Sequence, residues 1–453
     1  MTRSDRIEDD LCGQLTRAID DCGGRLEESR PNRWEVFAKA SLSRETEVIG
    51  GRLRRTVQVE ENGVGIRLSR GGRVGFAAGS GLEERATRDV VEAVRANAVT
   101  GDDPMPPQRL LGTTEVEPGP ARPARGWAQH IAGELAMALA TSSDGVLRLD
   151  RAVVQEGLYG WRLATGDGWS AGDERAVASV LVDVLVGDGS GVWREWIHIA
   201  DPALFDAEEA AARVGNRALL TGHRVATDHG LHDLLLHPEV AAQLLATLSP
   251  LFLATPADRD PLPGLLDPDG LLAAYPLSVV DDRADPTAPL VGPCDGEGMA
   301  AQRTLLVDQG APRHRIASYA DALAYDEVPR GGALRLSYRD RPTTGIANLR
   351  VLTDDGMAAG ELLAASDRAL YLLRPLAPVV CDFSADSYRL IASGVWLDRQ
   401  RVRGWHPVVE LTGGLGTLLR RIEGVGTDLC WFQTAHGFVG SPSLLVRRQP
   451  VVG

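Results

Sequence analysis

The chain has 453 residues, 44% hydrophobic and 24% charged, with a formal net charge of -14. An acidic chain with an isoelectric point near 5.2 argues against nucleic acid as a partner, because phosphates demand a basic face. No apolar run reaches the roughly 18 residues of a spanning helix, and the opening MTRSDRIEDDL is polar where a signal peptide is basic and then apolar, so a cytoplasmic protein with no membrane partner is expected.

The length calls for more than one core. Five scattered cysteines (Cys12, Cys22, Cys294, Cys381, Cys430) lack metal-type pairing and read as reduced thiols. Lysine occurs once, at Lys39; every other long basic side chain is arginine, a bias that a GC-rich genome accounts for. Along the chain, Ile7, Leu11, Leu15 and Ile19 recur at helical spacing, and Gly23-Gly24 should stop that helix. Short strands are expected at 34–40, 46–49, 54–60, 65–69 and 74–77, separated by Gly-Gly and Asn-Gly turns suited to hairpins. A helix over 82–98 would cover this meander with Val90, Val91, Val94 and Ala98. The division that follows is a domain over 1–100, a Pro- and Gly-rich linker over 101–126, a middle unit over 127–225 and a mostly-β unit over 231–453. In the middle unit, helices over 127–140 and 207–220, the second capped by Asp206, should flank strands at 145–149, 157–164, 175–186 and 191–199. The third unit should hold strands at 334–338, 349–352, 369–373, 388–391, 395–397 and 444–446. The fold class is α+β: an N-terminal antiparallel sheet with covering helices, a middle α+β unit and a C-terminal mostly-β domain.

One segment organises the rest. In 276–310, PLSVVDDRADPTAPLVGPCDGEGMAAQRTLLVDQG, an apolar strand ends in Asp281-Asp282, a long loop closes on Asp295-Gly296-Glu297-Gly298, and a second strand follows. A loop this long in a compact unit is usually functional. Together with G-V-G-x-R and G-x-x-G-F-A between 35 and 82, GVGTD at 424–428 and GSPSLLV at 440–446, this pattern resembles the TldD/PmbA family of metallopeptidase-like proteins over nearly the whole chain.

That resemblance implies a pair of subunits. A TldD-type chain carries zinc on an HExxxH motif, and a PmbA-type (TldE) chain lacks it. Laid against the family, Ala246, Thr247 and Leu251 stand where the His, Glu and second His would be, and none can bind zinc; QTAHGFVGSPS near the C-terminus offers only His436 where zinc-bearing chains have a cysteine. The resemblance therefore implies a metal-free subunit with no catalytic residues of its own, no cofactor, and a zinc-bearing TldD-type partner that hydrolyses an unfolded or modified peptide. Chamber candidates are Asp295, Glu297, Arg303, Asp382 and His436. Asp295 and Glu297 could form an acid/base pair, but carboxylates in Gly-rich turns more often cap backbone NH groups. Partner-contact candidates are the loops 285–303 and 433–443 with Trp405 and Trp431. Where relatives have glycines after G-D-[FY]-S, this chain reads Cys381-Asp382-Phe383-Ser384-Ala385-Asp386-Ser387, which puts a glycine-dependent conformation there in question.

Two alternatives stay open: a self-sufficient zinc hydrolase using His229, His232 and His237, or a non-enzymatic binding protein. His232 and His237 have the spacing of a zinc motif with Asp233 in the place of Glu, but Leu234–Leu236 reads as a buried strand and Pro238 as the first residue of a helix, which would point the two rings apart.

Overall fold

The computed structural model describes residues 10–28, 31–112, 123–124, 126–188, 191–226, 228–256, 259–399 and 401–451. The N-terminal half is built on seven antiparallel strands. Helix α1 (Leu11–Glu27) leads into β1 (Arg33–Ile49), β2 (Arg52–Arg70) and β3 (Arg73–Ser80), then α2 (Glu84–Ala96) and β4 (Val99–Thr100). After α3 (Trp127–Ser142) come β5 (Leu147–Thr165), β6 (Ser170–Val186), β7 (Gly191–Ile199) and α4 (Ala207–Leu219). The sheet order is β4-β3-β2-β1-β5-β6-β7.

The sequence-based boundary between a first and a middle unit is therefore not a boundary of the sheet. β1 pairs with β5 from Glu35–Thr165 to Ile49–Arg151, so the two meanders share one ladder. The strands are also longer than the sequence pattern suggested. Gly50-Gly51 and Gly71-Gly72 form the expected hairpin turns with φ of 54° and 75°, and of 56° and 74°. Asn62-Gly63 does not turn but lies inside β2. Its glycine serves close packing: a Cβ at Gly63 would lie 2.5 Å from the Tyr338 ring, and one at Gly65 would lie 2.1 Å from the Tyr338 carbonyl oxygen. Likewise α1 runs through Gly23-Gly24, because Gly23 sits beneath Trp34, whose ring would be 3.1 Å from an added Cβ. Ile7 of the expected helix lies outside the described residues.

Alternation sorts the two faces of the sheet. Val36, Ala38 and Ala40 of β1 pack under α1 and α2 with Leu15, Leu26, Val90 and Val94. Val180, Val182 and Val184 of β6 pack under α3 and α4 with Leu135, Leu139 and Val214. Asp206 caps α4 by accepting from the NH groups of Glu208 and Glu209, each at 2.9 Å. The opposite face, carrying Phe37 and Leu163, meets Cys294 and Tyr338 of the C-terminal half.

That half begins with β8 (Gly230–Leu236) and α5 (Pro238–Thr247), followed by β9 (Val279–Asp282), β10 (Arg303–Asp308), β11 (Ala311–Pro312), α6 (Tyr319–Ala324), β12 (Ala333–Leu334), β13 (Thr343–Thr344) and β14 (Asn348–Val351). It continues through α7 (Ala359–Ala364), β15 (Arg368–Pro375), β16 (Val380–Asp382), β17 (Ser387–Asp398), β18 (Arg401–Gly414), α8 (Leu415–Leu419), β19 (Ile422–Val425), β20 (Cys430–Thr434), β21 (Gly437–Ser441) and β22 (Leu444–Val451). One sheet has the order β11-β10-β9-β14-β21-β20; the other has β16-β17-β15-β8-β22-β19, with β18 on β17. The strand expected at 334–338 is only the two-residue β12, Ala333–Leu334, and beyond it Tyr338 packs on Gly63 and Gly65 instead of pairing. Residues 101–112 of the expected linker are docked: Arg67 donates to the Pro104 carbonyl at 3.2 Å, and the Gly112 NH donates to Gly298 at 2.8 Å.

Gly65→Ala should lower stability by about 1–3 kcal/mol, the usual cost of overpacking. Gly133→Ala, on the open side of α3 with nothing within 4 Å, should raise it by about 0.5–1 kcal/mol. Thermal unfolding of the two variants checks this; equal shifts would contradict the close approach of Tyr338.

Candidate functional site

The segment singled out by sequence joins the two halves of the molecule. All four residues of β9 are buried. Asp281 accepts from the NH groups of Ala347 and Asn348 at 2.9 and 2.7 Å. The Asn348 side chain then donates to the carbonyls of Asp282 and Leu290 at 2.8 and 2.9 Å, which pins the start of the long loop. At the loop's end Asp295 accepts from Glu297 N, Met299 N and Ala333 N at 2.9, 2.9 and 3.0 Å. Its carboxylate is spent on shaping the turn, and burial raises its pKa.

Glu297 does something different. One oxygen accepts from Tyr319 N at 2.7 Å, and the other lies 3.2 Å from Arg67 Nη1 on β2. Arg67 also lies 3.5 Å from Glu35 of β1 and 2.8 Å from Asp103, and Glu35 pairs in turn with Arg335, just past β12. The side chains of Arg67, Glu35, Glu297 and Arg335 are each at most 2% exposed. Burial pushes the Glu297 carboxyl up to about 7, against the pull of Arg67.

Beside this network lies a cavity of about 820 Å³. Its floor is the face of the seven-stranded sheet that the helices leave open, with Phe37 and Lys39 of β1, Tyr159 and Trp161 of β5, Asp173 and Arg175 of β6, and Trp196 and His198 of β7. Its roof comes from the loop at 289–296, from Leu334–Leu336, and from Gln433 and Phe438. Burial pulls His198 down to about 4, so the ring is neutral near pH 7, and it sits between Trp196 at 5.9 Å and Phe438 at 6.1 Å. Burial raises the Tyr159 phenol to about 12 and holds the Cys294 thiol well above its ordinary value, so neither is ionised near neutrality. Aromatic walls with a few fixed polar groups suit binding of an organic molecule.

The candidates named from sequence separate. Asp295 lines the cavity and Glu297 lies behind it. Arg303 opens β10 on the surface opposite Asp282. Asp382 closes an Asx turn by accepting from Ser384 N and Ala385 N, each at 3.0 Å, and hydrogen bonding to Ser384 and Ala385 lowers its pKa. The missing glycines of that turn are replaced by Asp386 at φ 45°, whose carboxylate accepts from Gly416 N at 2.7 Å. His436 is exposed in the β20–β21 turn, while its neighbours Gln433 and Phe438 reach the cavity.

The alternative zinc ligands do not fit a metal site. His237 caps α5 with Nδ1, accepting from Glu239 N at 3.2 Å, and its Nε2 contacts Arg217. His232 packs edge-on against Trp396 at 4.7 Å, and His229 is exposed. Among the described residues no group of three His, Cys, Asp or Glu is placed to hold a metal ion. Tyr159, Asp173, Arg175 and His198 escaped the sequence reading, and Lys39 stands in it only as the single lysine. For Lys39 the signal was there: in EVFAKASLS the small and branched apolar residues Val36, Ala38 and Ala40 alternate with Glu35, Phe37 and Lys39, which places the latter three together on the other face.

A helix-backed sheet whose open face is roofed by a β-rich half, with a chamber between, defines a two-part α+β class with an internal binding cavity. Two family models match, the PmbA/TldA metallopeptidase domain 1 at residues 34–98 and the C-terminal domain at 229–453. The chain belongs to the PmbA/TldD family. Similar solved structures include TldE from Thermococcus kodakarensis, at 16% identity and a TM-score of 0.82 over 96% of this chain and all of that one. A proposed modulator of DNA gyrase from Thermotoga maritima matches at 16% identity and 0.78, over 96% of this chain and all of its own. Another from Bacteroides thetaiotaomicron matches at 15% and 0.74, over 99% and 100%. No curated protein matches the chain.

A group held at about 7 in the fold but 4.5 in the free side chain adds stability that is complete below about 4.5 and is lost as pH rises through about 7. Glu297→Gln cannot titrate. Its melting temperature relative to the native chain should therefore climb between pH 5 and pH 8, and a difference independent of pH would contradict the raised pKa.

Proposed function

We propose that this chain is the metal-free, TldE-type subunit of a two-subunit peptidase. A TldD-type partner supplies zinc and cleaves the amide, while this chain walls the chamber and holds the peptide. The observation that carries this reading is the state of the residues matched to the zinc motif. Ala246 and Leu251 are 3% and 1% exposed inside the largest apolar cluster, among Leu234, Val240, Leu244 and Phe252. Thr247 donates its hydroxyl to the Gln243 carbonyl at 2.9 Å. Ala246 and Thr247 close α5 and Leu251 lies in the 3-10 turn that follows (Ser249–Phe252), both given over to packing, and no imidazole or carboxylate stands at those three positions. In the partner, bound zinc would polarise the scissile carbonyl and lower the pKa of its water; the residues of this chain contribute binding, orientation and exclusion of solvent.

An unpaired strand edge supports the two-subunit reading. β2 meets β3 only from Gly63 onward, with the Asn62 carbonyl accepting from Gly81 N at 3.1 Å, so residues 52–61 have no partner strand on that side among the described residues. Leu53, Val57 and Val59 are 52%, 38% and 57% exposed there, and Val57 and Val59 reach the cavity. Edges that carry exposed apolar side chains are ordinarily covered.

Co-expression with a TldD-type neighbour should yield a one-to-one complex that cleaves unfolded peptides faster than the partner alone, with zinc lost on mutation of the partner's motif and unaffected by His232→Ala or His237→Ala here. A pair no more active than the partner alone would overturn the subunit role. Stoichiometric zinc on this chain alone, lost in His232→Ala, would overturn the metal-free role.

A further inference from the structure

We propose that the cavity is a binding site for the carboxyl-terminal end of a peptide, with Lys39 holding the carboxylate and Asp173 accepting an NH of the same ligand. The choice of a peptide rests on the subunit reading above; recognition of a carboxylate by Lys39 does not.

Of 48 basic side chains 47 are arginine, and the one lysine stands in the wall of the large cavity. The two residues differ in chemistry: arginine presents a planar fork, whereas lysine is a compact charge with three donors that can turn to meet a ligand. The Lys39 ammonium donates to the Leu336 carbonyl and stands 5.0 Å over the Tyr159 ring. It forms no ion pair among the described residues. The acids nearest in charge are engaged elsewhere, Glu61 with Arg339 at 2.9 Å and Asp340 with Ser337 N at 3.0 Å. Arg175 is matched by Asp173, Arg44 by Glu156 at 3.2 Å, Arg55 by Glu45 at 2.9 Å and Arg335 by Glu35, and Arg283, the remaining cation of the wall, is 8% exposed and spends its guanidinium on the Ala333 carbonyl at 2.8 Å. Lys39 thus has donors to spare on a half-buried site where aromatic rings stand in for water.

Asp173 supplies the second point. Its Oδ2 accepts from Arg175 Nε at 2.6 Å, while its Oδ1 is buried without a hydrogen-bond partner. Lys39, Trp161 and Asp173 stand in one row across β1, β5 and β6. Two strand spacings put the anchors about 10 Å apart at the backbone, with the Trp161 ring between them. A terminal carboxylate, an apolar side chain and a preceding amide NH match that row in order. Burial lowers the Lys39 pKa, and an incoming carboxylate would reverse that loss.

Because the chain has one lysine, an amine reagent reports on this site alone apart from the N-terminus. The intact protein is treated with the N-hydroxysuccinimide ester of acetic acid, and acetylation of Lys39 is timed by peptide mass analysis. N-acetyl-L-phenylalanine should slow the reaction, and its uncharged amide should not. A pentapeptide ending in phenylalanine with a free carboxylate should protect at lower concentration than N-acetyl-L-phenylalanine, and its amidated form should fail. In calorimetry, Lys39→Met should weaken binding of the free-acid peptide about tenfold or more, the scale of one charge-assisted hydrogen bond, and Lys39→Arg should recover part of it. Equal protection by acid and amide, or no protection by either acid, overturns the carboxylate site. Protection by the small acid but not the peptide overturns the peptide assignment. None of these measurements needs the zinc partner, so a failed complex and a failed carboxylate site give different results.

Discussion

Four buried charges and a half-buried fifth hold this protein in the arrangement that gives it a chamber. Glu35 and Arg67 belong to the N-terminal sheet, Asp103 to the docked segment that follows it, and Glu297 and Arg335 to the C-terminal half. Ions taken this far from water are costly unless each is matched, and removing one partner typically costs more than the pair contributes. The set therefore works as a register. The C-terminal half is matched to the sheet where Glu297 meets Arg67 and Arg335 meets Glu35, and there the Asp295 turn and Leu334–Leu336 roof the open face.

The rest of the architecture follows from how that face is divided. Four helices cover one side of the seven strands, which leaves the other side for aromatic and polar residues. Glycines set the distance between the halves: without side chains at Gly63 and Gly65, Tyr338 lies directly on β2 and its hydroxyl reaches Ser80 at 2.9 Å. Helix α5 lies away from the chamber, with Val240, Leu244, Leu245 and Ala246 buried in the apolar core of the C-terminal half.

Much of this was legible in the chain. The α+β class, the helices under Val90 and Val94 and under Asp206, the Gly-Gly hairpins and the strand-then-helix reading of Leu234–Leu236 and Pro238 all rest on local periodicity and capping, which act within a few residues. What was not legible depends on distant partners. Asn62-Gly63 has the composition of a turn, and only Tyr338, 275 positions further on, explains why it runs straight. The β1–β5 ladder crosses an expected domain boundary because strand pairing has no local signature of its partner. Lys39 was noticed for being alone, but its place in a cavity wall required β1, β5 and β6 side by side.

The clamp between the halves is tested most directly by a double-mutant cycle on Glu35 and Arg335, whose side chains are 1% and 2% exposed and come from opposite halves. Denaturant unfolding at pH 7 of Glu35→Gln, Arg335→Met and the double variant gives their coupling. A coupling of about 1 kcal/mol or more, with the double variant less damaged than the sum of the singles, is the result expected of contacting residues in one network. Effects that add to within about 0.5 kcal/mol, as they do for independent sites, would contradict a clamp at this pair.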